Sequence, residues 1–121
     1  MEWQIEFDEA FAEEFSQLPS SVKIELRAQA NSLKIHGPSY GRPRVDTLKG
    51  SRHANMKELR FDAENGVWRV AFAFDPERKA ILLVAGDKSG VAEKRFYKNL
   101  IGTADARFDG HLQKLMNKEK P

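Results

Sequence analysis

Arg60 and Arg69 flank an Asn65-Gly66 dipeptide, and Lys88 follows the apolar run Ala80 to Gly86. The segments on either side of the dipeptide alternate. Leu59 and Phe61 bracket Arg60, and Trp68, Val70, Phe72 and Phe74 alternate with Arg69, Ala71 and Ala73. Asn-Gly between two such runs is the favoured two-residue hairpin turn, because both turn residues need positive φ. With Asn65 and Gly66 as the loop, Phe61 opposes Val70, Leu59 opposes Phe72, Arg60 opposes Ala71 and Asp62 opposes Arg69. The apolar residues then share a core face, and Arg60 and Arg69 share the other face within diagonal reach. Alternation carried through Gly86 brings Lys88 to the same face, and small Ala71 and Ala73 leave room there. Two guanidiniums and an ammonium over small side chains suit a phosphate. A second reading stays open, in which Arg69 pairs with Asp62 and Arg60 only decorates the sheet.

The elements that hold these residues are legible from periodicity. Trp3, Ile5 and Phe7 alternate as a short strand, and Asp8 caps a helix carrying Phe11, Phe15 and Leu18. Pro19-Ser20-Ser21 breaks the chain. Val22, Leu26, Ala30 and Leu33 then form a second helical stripe that stops at His36-Gly37-Pro38. Val45 to Leu48 is a candidate short strand, and Lys49 to Asn55 a polar loop. After the hairpin, Asp75-Pro76-Glu77-Arg78 makes a turn into a last strand that is apolar on both faces. From about Ala92, Phe96, Leu100, Ala104, Phe108, Leu112 and Leu115 mark a final helix, with Gly102 and Gly110 as points of break or bend. The fold class is α+β: an antiparallel meander with an N-terminal strand, a helical hairpin on one face and a C-terminal helix. Residues 1–121 read as one domain.

Composition narrows the function. Hydrophobic residues make up 40% and charged residues 31%, which is ordinary globular composition. No apolar run reaches the roughly 20 residues of a membrane helix, and no signal peptide is evident, so a cytoplasmic protein is expected. Cysteine is absent, which excludes disulfides, thiolate zinc sites and cysteine nucleophiles. His36, His53 and His111 lack metal-ligand spacing and read as surface or capping residues; no metal or cofactor is expected. No Walker motif or Gly-rich phosphate loop occurs. The net charge is only +2, but the basic residues concentrate between Arg42 and Arg69 while Asp8, Glu9, Glu13 and Glu14 make the front acidic.

One series of segments resembles a known family: Leu48-Lys49-Gly50, Lys57-Glu58-Leu59-Arg60, Trp68-Arg69-Val70 and Ile81 through Lys88, then Arg95 through Ile101 and Ala104 through Phe108. In order and spacing they resemble the RelE/ParE toxin superfamily, in its phage-derived, HigB-like branch. The resemblance covers nearly the whole chain. It implies a RelE-like fold and a toxin that cleaves mRNA on the ribosome without a metal. It also implies a helix-turn-helix, HigA-like antitoxin as partner, through which the toxin associates with DNA indirectly. By position, Arg60, Arg69, Lys57 and Lys88 match the family's catalytic basic residues. Lys57 needs a bulge to reach the arginine face, since strict alternation puts it with Leu59. Lys49, Arg52 and His53 are assigned to RNA binding. Some relatives have a Tyr or His after the last strand. The nearest tyrosine here, Tyr97, falls on the predicted helix and is read as structural. Two other functions share this fold: a ParE-like toxin that binds a type II topoisomerase, and a phage nucleic-acid-binding protein without catalysis.

Overall fold

The computed structural model describes residues 2–118. The chain runs β1 (Gln4–Phe7), α1 (Glu9–Ser16), α2 (Ser20–His36), a 3-10 turn (Gly37–Ser39), β2 (Val45–Thr47), β3 (Met56–Ala63), β4 (Gly66–Phe74), β5 (Lys79–Asp87) and α3 (Glu93–Lys118). The strands make one sheet in the order β1-β5-β4-β3-β2. Strands β2 to β5 form the expected antiparallel meander, while β1 lies parallel to β5 at the sheet edge. Among the described residues no helix is long and apolar enough to cross a membrane.

Local chemistry sets the boundaries. The Asp8 carboxylate accepts the Phe11 amide at 3.1 Å and so caps α1. Gly37 ends α2 at φ 58°, and a Cβ there would collide with the Trp3 indole. Helix α3 is unbroken across Gly102 and Gly110, the two expected points of break or bend. A Cβ at either glycine would meet nothing within 4 Å. The helix is held from its opposite side by Phe96, Leu100, Ala104 and Phe108, spaced four apart and packed on the sheet.

The sheet is covered on both faces. The α1–α2 hairpin packs Phe11, Val22, Leu26 and Leu33 onto Leu59, Phe61, Val70, Phe72 and Leu82. On the other face α3 packs onto Met56, Ala71, Ala73, Ile81 and Leu83. Burying side chains of this size is worth roughly 1.5–3 kcal/mol each. Val70 and Phe72 are fully buried as expected, whereas Trp68 and Phe74 are half-buried at the rim of the hairpin core. Ala71 and Ala73 are not an open floor, because α3 covers them completely.

The hairpin register differs from the sequence reading by one loop position. The two-residue loop is Glu64-Asn65, at φ 50° and 58°, and Gly66 already pairs with Ala63 in the ladder. Gly66 is there for space: a Cβ would lie 2.6 Å from Asp87 Oδ2 and 3.0 Å from Trp68 Nε1. Leu59 therefore opposes Val70, and Phe61 opposes Trp68. Asp62 opposes Val67, so the predicted Asp62–Arg69 pairing does not form. Moving both turn residues back by one preserves parity, so each side chain keeps its predicted face.

Candidate functional site

Arg60 and Arg69 are direct Cα partners across β3 and β4, closer than the diagonal neighbours that were expected. Both lie on the α3 face of the sheet. Between their guanidiniums sits Glu58, one pleat before Arg60 and only 3% exposed. Its Oε2 accepts Arg60 Nη2 at 2.9 Å and Nε at 3.2 Å. Its Oε1 accepts the Tyr97 hydroxyl of α3 at 2.7 Å and lies 3.6 Å from Arg69 Nε. That last contact is an ion pair but too long for a hydrogen bond, and Arg69 Nε is buried with no hydrogen-bond partner. Arg69 Nη1 donates to the Trp68 carbonyl at 2.9 Å. From the β2 edge, Asp46 Oδ2 accepts Arg60 Nη2 at 3.3 Å and Arg42 Nη2 at 3.0 Å.

The electrostatics follow from these contacts. The hydrogen bond to Glu58 pushes Arg60 above its ordinary pKa, against the opposing effect of burial. Burial raises Tyr97 as well, and its bond to Glu58 adds to the rise, while Arg69 opposes it. The phenol is therefore a neutral donor at physiological pH. Asp46 is lowered, first by the Thr47 amide and then by Arg42.

Lys88 reaches this neighbourhood by a different route from the one expected. Strand β5 is not regular: Phe72 pairs with Leu82 but Ala71 pairs with Val84, leaving Leu83 as an extra residue. The bulge puts Leu83 and Val84 on the α3 side together, so the even-numbered residues beyond it face α3. Lys88 Nζ then sits 5.7 Å from the Tyr97 ring centroid and 3.1 Å from Glu93 Oε1. Arg107 of α3 braces the bulge, donating to the Leu83 carbonyl at 2.7 Å while its Nη2 binds Glu14 of α1 at 2.6 Å.

Lys57 is not brought in. Strand β3 has no bulge, so Lys57 keeps the parity of Leu59 on the opposite face, with Nζ 3.4 Å from Thr47 Oγ1. The three loop residues assigned to RNA divide. Lys49 is exposed. Arg52 and His53 are instead turned onto α3: both bind Asp109, His53 Nε2 at 2.7 Å, and the Arg52 amide donates to buried Asp105 at 3.0 Å. His53 and then Arg52 hold the Asp109 carboxyl below its usual range. His111 is a tether too, 2.8 Å from the buried carboxylate of Asp75, which accepts the Glu77 and Lys79 amides to shape the β4–β5 turn. Among the described residues, no group of three or more His, Asp or Glu could hold a metal ion.

Glu58, Asp46 and Tyr97 were missed as members of this cluster. Glu58 was visible in the sequence, since it shares parity with Arg60 two residues on. Tyr97 carried no such signal, because its role depends on how α3 crosses the sheet.

An open five-stranded sheet with a helical hairpin on one face and an arginine pair on the other defines a protein of the RelE fold. Solved structures agree. A double arginine-to-alanine mutant of E. coli RelE in the free state superposes with a TM-score of 0.55 at 16% identity, covering 84% of this chain and 95% of RelE. The intact E. coli RelBE toxin–antitoxin complex gives 0.52 at 16% identity, covering 69% of this chain and 94% of the matched one. A family model described as phage-derived protein Gp49-like matches residues 13–109. Among curated relatives, putative toxin HigB3 of Mycobacterium tuberculosis (strain ATCC 25618 / H37Rv) is 50% identical over 98 residues, 81% of this chain and 83% of HigB3. Putative toxin HigB2 of the same organism is 48% identical over 81 residues, 66% of this chain but 40% of HigB2. The chain thus spans less than half the length of that relative. It belongs to the phage-derived Gp49-like family, with putative HigB toxins among its relatives, and it shares its fold with RelE.

Proposed function

We propose that this chain is the toxin of a toxin–antitoxin pair and that it cuts mRNA on the ribosome at the Arg60–Arg69 cluster. The observation that carries the reading is the pair itself: two guanidiniums on directly opposed strand positions, gathered at one carboxylate, with Lys88 near the same tyrosine. RNA supplies its own nucleophile, the 2′-hydroxyl. Attack on the adjacent phosphorus loads negative charge onto the phosphoryl oxygens. Guanidiniums fixed at that place stabilise the charge, by roughly 3–4 kcal/mol for each preorganised donor group. Glu58 and Asp46 hold the arginines ready before substrate arrives, and the phosphate replaces them as acceptor. Lys88 is the cation placed to protonate the departing 5′-oxygen. Lys49 grips message or ribosomal RNA backbone, while Arg52 and His53 first serve to fix their loop on α3.

The partner is a helix-turn-helix, HigA-like antitoxin, supported by the HigB names of the relatives and the complex named for the RelBE neighbour. Covering the basic cluster with an acidic segment would exclude mRNA, and the toxin would meet DNA only through that partner. The place of action is the cytoplasm, where translating ribosomes are. Inducing the protein in cells and mapping transcript 5′ ends tests the reading. Cuts confined to translated regions are expected, with growth restored by co-expression of the neighbouring gene. DNA damage without such cuts would replace it by the topoisomerase reading.

A further inference from the structure

The loop between β2 and β3 is fastened to α3 by two carboxylates that differ in kind. Asp105 is buried and holds backbone: it accepts the Arg52 amide at 3.0 Å, and also the Ser51 hydroxyl. Asp109 is exposed and binds only side chains of the loop. One of its oxygens accepts His53 Nε2 at 2.7 Å, and the other accepts Arg52 Nη2. The loop has other anchors of its own. The Met56 amide donates to the His53 carbonyl at 3.0 Å, and Asn55 Nδ2 to the Phe74 carbonyl at 2.9 Å.

Two donors converging on the two oxygens of an exposed anion are also what a phosphate needs. The place is in line with the arginine pair. Tyr97, Ile101 and Asp105 recur four apart on the side of α3 that faces β3 and the loop. Tyr97 reaches Glu58, Ile101 Cδ1 lies 3.8 Å from where a Cβ on Gly50 would be, and Asp105 holds Ser51. Asp109 continues the row about 18 Å from Tyr97, at 1.5 Å per residue. Exposed Lys49 and Lys98 lie between the two ends.

Resting on the mRNA-cleavage reading above, we infer that Arg52 and His53 form a second RNA-phosphate site, which Asp109 occupies in the free protein and a phosphodiester takes over on binding. One singly charged anion replaces another, so Arg52 is never left unpaired. Asp109 returns to water at little cost, because it is already exposed. The phosphate displaces it once the RNA is held elsewhere on the protein, since the second contact is then intramolecular. Asp105 stays bonded throughout, so the loop loosens without leaving α3. His53 and then Arg52 hold the Asp109 carboxyl below its usual range, so an anion fills the place until RNA arrives. RNA that touches this site alone has to compete with a tethered carboxylate.

The test is the affinity of parent and Asp109→Asn proteins for ribosomes. It is measured on vacant ribosomes and on ribosomes programmed with mRNA whose 2′-oxygens are methylated, so that it cannot be cut. Asp109→Asn should bind about 3- to 10-fold tighter, the scale of one or two exposed ion pairs. A gain on vacant ribosomes assigns the phosphate to ribosomal RNA, and a gain on programmed ribosomes alone assigns it to the message. The gain should vanish when Arg52→Ala and His53→Ala are added, which separates displacement from the general effect of removing a negative charge. Thermal melts must show folded proteins; if Asp109→Asn does not fold, Asp109→Ala carries the same test. An Asp109→Asn protein that binds no tighter than the parent, or a gain that survives without Arg52 and His53, overturns the inference. The nuclease reading stands in that case if the parent still cuts unmodified mRNA. A parent that neither binds nor cuts removes both.

Discussion

Strands β3 and β4 present two faces that obey different rules. Toward the helical hairpin, Leu59, Phe61, Val70 and Phe72 are buried in one hydrophobic cluster with α1 and α2. Toward α3, one residue out of step along the same strands, Glu58, Arg60 and Arg69 form a charged cluster closed by Tyr97. The first face is held by area removed from water, which tolerates any well-packed neighbour. The second is held by matched charges, where each member has a partner that its loss would strand. A change on the first face should therefore be felt as stability, and a change on the second as chemistry.

The largest expected effect is on the apolar face. Phe72→Ala should destabilise the fold by about 3–5 kcal/mol in denaturant melts, by removing a fully buried ring between the hairpin and the sheet. Activity should be lost only as folded protein is lost. A melt shifted by less than a third of that would mean the two faces are not separable in this way.

Next comes the brace beneath Lys88. Arg107→Ala strands the Leu83 carbonyl and leaves Glu14 without its hydrogen-bond partner. The expected cost is about 1–3 kcal/mol in melts, together with slower cleavage because the bulge no longer fixes Lys88. Cleavage at the parental rate despite the loss of stability would detach the bulge from the site.

The loop that carries Arg52 and His53 should respond to acid. Asp109 is held below its ordinary pKa, so its contribution is complete above the unfolded carboxylate value and disappears as pH falls through the folded one. Glu14, lowered by Arg107, behaves the same way. The protection of amides 51–53, taken relative to unprotected amides at the same pH, should fall below about pH 4, the ordinary carboxylate value. Asp109→Asn should show the weakened protection already at neutral pH. Protection that does not change on acidification would mean Asp109 is not what holds the loop.

The smallest effect is expected at Lys57, which lies on the face away from the arginines. Lys57→Ala should leave the chemical step on ribosomes nearly unchanged. A loss as large as that of either arginine would require a rearranged β3 in the bound state.

These contrasts also explain what the sequence disclosed. The alternation of Leu59 to Phe61 and Trp68 to Phe74 reports side-chain parity, and parity survived even though the turn was misplaced by one residue. The turn was misread because Gly66 answers to crowding by Asp87 and Trp68, which no local pattern reports, and Glu64 supplies the positive φ in its place. The Leu83 bulge was likewise hidden, since a run apolar on both faces gives no sign of an extra residue. Glu58 was legible by the same parity that found Arg60. Tyr97 and the Asp109 anchor depend on the path of α3 across the sheet, which is tertiary information.

In the proposed reaction, Arg60 and Arg69 stabilise the phosphorane-like charge that builds during mRNA cleavage. Single-turnover cleavage on programmed ribosomes, run with Arg60→Ala and Arg69→Ala proteins shown by melting to be folded, tests it most directly. Each variant should cut about 100- to 1,000-fold more slowly than the parent, the loss typical of one preorganised charge-stabilising donor. Two folded variants that both cut as fast as the parent would contradict it.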